Sequence, residues 1–408
     1  MLTMKSGPLT VPAHVPAAMV RSFPLVLGEE TYENPFERIV PEINSGPAVF
    51  YCPNGYLGIQ GAWIFRKAQD LQSIYLDTEH FSNKDFAPFA KLVGESWSTL
   101  PAEIDPPMHG LYRQLLNPLF TPRRLHALED NVRRYARLYI DQFKDDGHAE
   151  LMNAFCFRFP INVILDLIGL PMDKVETFLK WEHGLLHTPD LAVVADSVRQ
   201  VKAYLMGVLE ERRREPKDDL ISFGLNAEVD GRRLTDDELW GFMFNLFIGG
   251  MDTVSTNTAL QLRYLAEHPE QQNHLRANPD KIPYAVEEML RAFSAVTTFR
   301  TCVKPTQIRG VQIMPGDKVA LSTTLANRDE DEFENPNEIQ LDRNPRHLTF
   351  GSGIHRCLGA PLARRELVIA LEEMLKALPE FRLAPDAKIL TYLGGTIQPA
   401  TLPIVWGD

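Results

Sequence analysis

The chain has 408 residues, 44% hydrophobic and 24% charged, a mixture that fits a globular protein able to bury a large core. Lys+Arg 42 against Asp+Glu 54 leaves a net charge of -12, a field that repels nucleic acid and anionic lipid, so neither is expected as a partner and any basic patch must be local. The four cysteines, Cys52, Cys156, Cys302 and Cys357, lie far apart with none of the spacings of zinc sites or disulfide frameworks, which points to a reducing compartment.

The N-terminal segment, with Lys5, Pro8, Pro12 and Pro16, is neither a signal core nor a span of about 20 apolar residues, so a cytoplasmic protein without a membrane anchor is expected. No linker, low-complexity tract or internal period interrupts the chain, and a single domain over residues 1–408 is the expectation. Ala48 to Tyr51 reads as a strand, Pro53-Asn54-Gly55 as a turn, and Tyr56 to Ile59 as a returning strand. Helices dominate beyond this point. The clearest starts at Thr235, whose side chain forms a capping box with Glu238, and runs to His268 before Pro269, roughly 30 residues or about 45 Å. Lys281 to Arg291 has helical spacing, with Ile282, Ala285, Val286, Met289 and Leu290 apolar. A mixed extended region reaches about Arg346, and a last long helix follows Cys357. The tail from Ile389 to Trp406, rich in Thr, Gly and β-branched residues, reads as strands.

Two constellations stand out. In the interior of the long helix Gly249 and Gly250 sit side by side, each costing about 1 kcal/mol relative to alanine, and Asp252-Thr253 follows in an apolar run. The glycines admit either a ligand close to the backbone or a neighbouring helix in a packing notch, and a threonine hydroxyl can take over a helical carbonyl. The second is Phe350-Gly351-Ser352-Gly353-Ile354-His355-Arg356-Cys357-Leu358-Gly359, leading into a helix. Such a loop can aim backbone N–H groups at sulfur, and the helix N-terminus and Arg356 favour a thiolate there. That thiolate could serve as a nucleophile or as a metal ligand, although no general base for a nucleophile is evident unless His355 folds back.

Phe350, Gly353, His355, Cys357 and Gly359 resemble the heme-ligand loop of the cytochrome P450 family. Gly249-Gly250-Met251-Asp252-Thr253 resembles its oxygen-activating helix motif, and Glu288-Met289-Leu290-Arg291 its buried Glu-x-x-Arg pair, all in family order. The likeness is greatest to bacterial members of the camphor-hydroxylase type, which share the Ala363-Arg364-Arg365-Glu366 stretch. It implies a mainly α fold with a smaller β region, with heme b between the long central helix and the helix after the Cys loop. It implies Cys357 as the axial ligand of the heme iron, shielded by Phe350, with Gly351 and Gly359 shaping the loop. His109, Arg113, Arg300 and His355 would hold the heme propionates, and Glu288, Arg291 and Arg343 would form a structural ionic cluster. Asp252 and Thr253 would deliver protons for O2 activation, with Gly249 and Gly250 leaving room for O2.

Trp97, Ala102, Asn245, Ile248, Val296, Thr298 and Thr396 occupy positions resembling substrate-pocket wall, a mostly apolar chamber with few polar handles. Trp97 stands where camphor hydroxylases carry a substrate-binding tyrosine; its indole N–H could still donate, but its ring is larger. A terpenoid or norisoprenoid substrate is the expectation, with a fatty acid disfavoured because no arginine is placed for its carboxylate. Electrons would come from a 2Fe-2S ferredoxin and its NADH-linked reductase, with Arg113, Arg343, Arg346, Arg356, Arg364 and Arg365 as candidates for a local docking patch. A peroxide-driven peroxygenase and a non-catalytic heme sensor or carrier are the alternatives; the Asp252-Thr253 pair disfavours the first.

Overall fold

The computed structural model describes residues 10–407, so Lys5 and Pro8 of the proline-bearing N-terminal segment lie outside the described residues. The long central helix spans Asp236–Glu267, 32 residues, and stops at His268 before Pro269. Its start is fixed chemically: Glu238 N–H donates to Thr235 Oγ1 at 3.3 Å while Thr235 N–H donates to Glu238 Oε2 at 2.7 Å. Three acids in the first turn, Asp236, Asp237 and Glu238, complement the helix dipole. Every residue from Val254 to Ala266 is buried, so this C-terminal part of the helix is a core element on all sides. The helices Arg158–Ile168, Val175–Leu186, Leu191–Arg214 and Ala360–Ala377 pack against it. Ile282–Ala292 packs in turn on Ala360–Ala377, which ties the region before the Cys loop to the region after it.

The main sheet has five strands in the order Val49–Tyr56, Gln60–Phe65, Lys318–Ser322, Thr297–Cys302 and Phe81–Ser82. Lys318–Ser322 runs parallel to Gln60–Phe65, with Lys318 opposite Ala62, and antiparallel to Thr297–Cys302, with Val319 opposite Arg300. The expected turn at Pro53-Asn54-Gly55 is corrected here. The strand continues through it to Tyr56 with a register irregularity between Cys52 and Tyr56, and the chain reverses at Leu57 and Gly58, at φ 50° and 72°. Pro53 lacks an N–H and interrupts the ladder, which reads in sequence like a reversal but produces an irregularity. The expected C-terminal strands are present as Thr391–Leu393, Ile397–Pro399 and Pro403–Trp406. Thr391–Leu393 lies between Glu29–Thr31 and Ile397–Pro399, and this small sheet rests on the central helix at the level of Asp252.

Candidate active site

The Cys loop is a hairpin closed by backbone bonds. Gly351 N–H donates to Leu348 O at 2.7 Å, Arg356 N–H to Gly353 O at 3.1 Å, and Cys357 N–H to Phe350 O at 2.9 Å. Gly353, at φ 69°, lies under the backbone of the helix Ala68–Leu76, where a Cβ would come within 2.6 Å of Tyr75 O. No other residue fits both the backbone angle and the gap. Cys357 keeps accessible surface on one side, whereas Cys52, Cys156 and Cys302 are buried. The protein crowding its other sides desolvates the thiol and raises its pKa. Hydrogen bonding from the Gly359 and Ala360 backbone and the charges of Arg113 and Arg356 work the other way.

Four of the expected anchors converge beside this loop. The His109 and His355 rings lie 4.2 Å apart, and Arg113 Nη2 donates to Arg356 O at 2.7 Å. Arg300, at 5% exposure, donates to Phe299 O and stacks over the Tyr75 ring at 5.2 Å. His109 Nε2 is buried without a hydrogen-bond partner. Burial pushes His355 down to about 3, and the charges of His109, Arg300 and Arg113 push the same way. Asp105, the acid that acts on His109 and Arg300, is occupied by the Ser82 hydroxyl and the Asn83 N–H. A cluster of this kind, with an orphaned nitrogen and no free carboxylate, is built for an anion, and the two propionates of heme b fit it.

The two glycines of the central helix separate into the two roles that the sequence left open. A Cβ on Gly249 would meet nothing within 4 Å, and this glycine is exposed in the middle of a buried helix. A Cβ on Gly250 would fall 2.3 Å from Ile164 Cδ1, so Gly250 is a packing notch for the Arg158–Ile168 helix and not room for O2. Thr253 donates its hydroxyl to Gly249 O at 2.9 Å. Asp252, at 1% exposure, is held by three donors, His187, Thr396 and Gln398.

The pocket-wall positions are also partly rearranged. Asn245 and Ile248 lie on the accessible face of the central helix with Gly249, and Ala102, Val296 and Thr298 are half-buried. Thr298 Oγ1 shares a hydrogen bond with Tyr75 Oη at 3.2 Å. Thr396 is corrected from substrate handle to partner of Asp252, 2.8 Å from its Oδ2. Trp97 is likewise corrected as a donor: its indole N–H is spent on Glu95 Oε2 at 2.6 Å, and its ring packs edge-on against Trp240 and Phe244. The surface grooves along Asp130 to Asp141 and between Gly169 and Lys217 contain none of these residues.

Glu288, Arg291 and Arg343 come together. Arg291 makes two bonds to Glu288, at 2.8 and 2.7 Å with both side chains fully buried, and Arg343 Nε lies 3.4 Å from the same carboxylate. The candidate docking arginines do not share one environment. Arg343 belongs to this cluster, Arg365 reaches Glu129 at 3.5 Å, and Arg364 makes two bonds to Glu287, at 2.6 and 3.0 Å, beneath the Phe350 ring. Arg346 and Arg356 are exposed and form no ion pair among the described residues.

A thiol-bearing hairpin at the start of a helix that packs on the long central helix, flanked by a cationic cradle, is an arrangement that fits a heme-thiolate protein. The comparisons place the chain within that class. The sequence model of the cytochrome P450 family matches residues 177–394. A probable cytochrome P450 127A1 of Sinorhizobium fredii is 35% identical over 99% of this chain and 98% of its own length. The mycinamicin IV hydroxylase/epoxidase of Micromonospora griseorubida is 36% identical over 85% of this chain and 89% of its own. The crystal structure of the cytochrome P450 CYP101C1 superposes with a TM-score of 0.86 at 30% identity, covering 98% of this chain and 100% of that one. The chain belongs to the cytochrome P450 family, with its mainly α fold, and is a heme-dependent monooxygenase that uses O2. No helix of the described residues is long and apolar enough to cross a membrane.

Proposed function

We propose that the chain acts as one cytoplasmic domain that hydroxylates a small hydrophobic substrate of terpenoid or norisoprenoid type, with electrons from a 2Fe-2S ferredoxin and its NADH-linked reductase. The observation that carries this reading is the cluster of His109, Arg113, Arg300 and His355 beside the Cys357 hairpin, in a chain whose central helix carries an accessible face of Asn245, Ile248, Gly249 and Thr253. Cys357 would ligate the heme iron, Phe350 would screen the sulfur, and His109, Arg113, Arg300 and His355 would hold the propionates. Heme, when bound, supplies the O2 activation and oxygen insertion typical of a thiolate-ligated iron. Gly249 keeps the helix face open above it. Thr253 holds a proton at Oγ1, and Asp252 stands behind it as the acid that replaces that proton. This acid–alcohol pair supports O2 over peroxide as the oxidant.

The residues assigned to the chamber are apolar except for Asn245, Thr253, whose hydroxyl is spent on Gly249 O, and the shared Thr298 hydroxyl, which supports a substrate with one or two polar groups. Unpaired Arg346 and Arg356 beside the Cys loop support docking of an acidic carrier despite the net charge of -12. The test is a panel of terpenoid ketones and alcohols beside fatty acids, read first as the low-spin to high-spin Soret shift and then as product formed with ferredoxin, reductase and NADH. A terpenoid is expected to give both. Turnover restricted to fatty acids would overturn the substrate class. Cys357→His is expected to lose the thiolate-specific Soret band of the ferrous carbonyl complex, and a normal band in that variant would overturn the ligand assignment.

A further inference from the structure

Three titratable side chains from two helices meet beneath the C-terminal strands. Glu182 on the helix Val175–Leu186 and His187 just past its end face Asp252 of the central helix, with exposures of 3%, 8% and 1%. His187 Nε2 lies 2.8 Å from Asp252 Oδ1 and 3.1 Å from Glu182 Oε1, so one ring nitrogen serves both carboxylates. Gln398 Nε2 donates to the same Oδ1 at 2.5 Å and Thr396 to Oδ2 at 2.8 Å. The other ring nitrogen, His187 Nδ1, is buried without a partner. One helical turn earlier, the exposed His183 ring lies 5.8 Å from the His187 ring. From the strand side the Tyr392 ring approaches to 5.3 Å, with Glu30 acting on its hydroxyl.

A structural ion pair in so dry a place is better made with arginine, which cannot lose its charge. Here the cation is an imidazole and a second acid competes for it, so the proton count of the cluster can change. We propose that Glu182 and His187 form a proton-loading pair for Asp252, in which Glu182 stores one proton and His187 Nε2 hands it on to Asp252 Oδ1. This rests on the role given above to Asp252. In the transfer the Nε2–H bond breaks as Oδ1–H forms, and the freed Nε2 lone pair then takes the proton from Glu182 as its O–H bond breaks. The imidazolium is restored, one negative charge moves from Asp252 to Glu182, and the cluster keeps its total charge. Bulk water reloads Glu182, reaching the cluster by way of the exposed His183, whose ring lies 5.8 Å from that of His187. Glu182 and His187 touch neither substrate nor heme and are positioning residues.

The acidities set where the proton rests: the step from Glu182 to His187 runs downhill, and the step onto Asp252 runs uphill and is drawn forward only as Asp252 yields its proton toward Thr253. Burial, reinforced by the Asp252 charge and opposed by the His187 hydrogen bond, pushes Glu182 up to about 7. Burial opposes the charge on His187, but the Asp252 and Glu182 carboxylates outweigh it and raise the imidazole to about 10. Burial also opposes the charge on Asp252, and His187 and Thr396 hold that carboxyl below its usual range. Glu182 is therefore the member that titrates near neutrality. It is loaded below about pH 7 and empties above, in a titration that it shares with His187 and Asp252.

Two measurements on the heme-loaded protein test this. Infrared difference spectroscopy of the resting protein should show a buried carboxylic acid C=O band that disappears as pH rises through about 7 and is absent in Glu182→Gln. Product formed per NADH should follow the same titration in the parent, and in Glu182→Gln should be low and flat with pH while the substrate-induced spin shift stays unchanged. His187→Gln should move the infrared titration. Lack of a titrating band in the parent, or a Glu182→Gln variant that keeps the parental pH profile of coupling, would overturn the proposal. A parent that shows the band but turns over no substrate at any pH would count against the hydroxylase reading and leave the loading pair standing.

Discussion

Two of the buried ion clusters among the described residues differ in the cation that each is built around. In one, Arg291 is bound twice by Glu288 and donates to the carbonyls of Asn327, Pro336 and Glu338, so its guanidinium is held on every side. In the other, His187 spends one nitrogen on two acids and leaves the second without a partner. A permanent cation with a saturated donor set fixes the architecture around the Cys loop, whereas a titratable one with an unmet nitrogen keeps the proton count variable beside Thr253. Burial is the same in both places. What separates the frame from the chemistry is whether the charge can leave.

The largest effect should come from breaking the frame. Arg291→Ala strands Glu288 in the core and is expected to cost about 3 to 5 kcal/mol, seen as a lowered unfolding midpoint and reduced heme retention. Loss of less than about 1 kcal/mol would show that the cluster is dispensable. A smaller effect should separate the adjacent glycines. Gly250→Ala drives a methyl into Ile164 and should destabilise the fold by about 1 to 2 kcal/mol net of its helix gain, with the spin shift little changed. Gly249→Ala should hold or raise stability by up to about 1 kcal/mol while weakening the substrate spin shift. The reverse pattern in thermal unfolding and spectral titration would exchange the two assignments. The smallest effect concerns surface charge. Arg356→Glu should raise the ferredoxin concentration for half-maximal turnover a few-fold at low salt, fading once screening shortens to about 8 Å at physiological ionic strength. Arg364→Glu should act instead on stability, because Arg364 is committed to Glu287 and Phe350. Stopped-flow reduction kinetics with both variants, beside their melting curves, tell docking from framework.

The parts of the site that could be read from sequence are those whose meaning is local. The Cys loop, the capping box and the Glu288–Arg291 pair are each set within one short segment, where spacing is geometry. The acid cluster could not be read this way, because Glu182, His187 and Gln398 reach Asp252 from elements 70, 65 and 146 residues away in sequence. A lone histidine carries no sign of such company. Gly249 and Gly250 looked equivalent because only the neighbouring Arg158–Ile168 helix decides which one faces a wall. Trp97 differs, because Glu95, only two residues away, takes its N–H; the partner was local, but no spacing rule marks such a pair in an irregular loop.

The sheet also bears on how the chain comes into being. Gln60–Phe65 has Val49–Tyr56 on one side from early in synthesis, but its other neighbour, Lys318–Ser322, lies some 250 residues downstream. Until the ribosome has passed residue 322, the Ala62–Phe65 backbone exposes an open, apolar edge, a template for other nascent chains. Final closure of the sheet, the arrival of Arg300 on Thr297–Cys302 and the emergence of Cys357 all come more than 230 residues after the early hairpin. Arg300 and Cys357, the groups proposed to hold heme, thus arrive close together, and until then the early hairpin is a segment in need of chaperone cover.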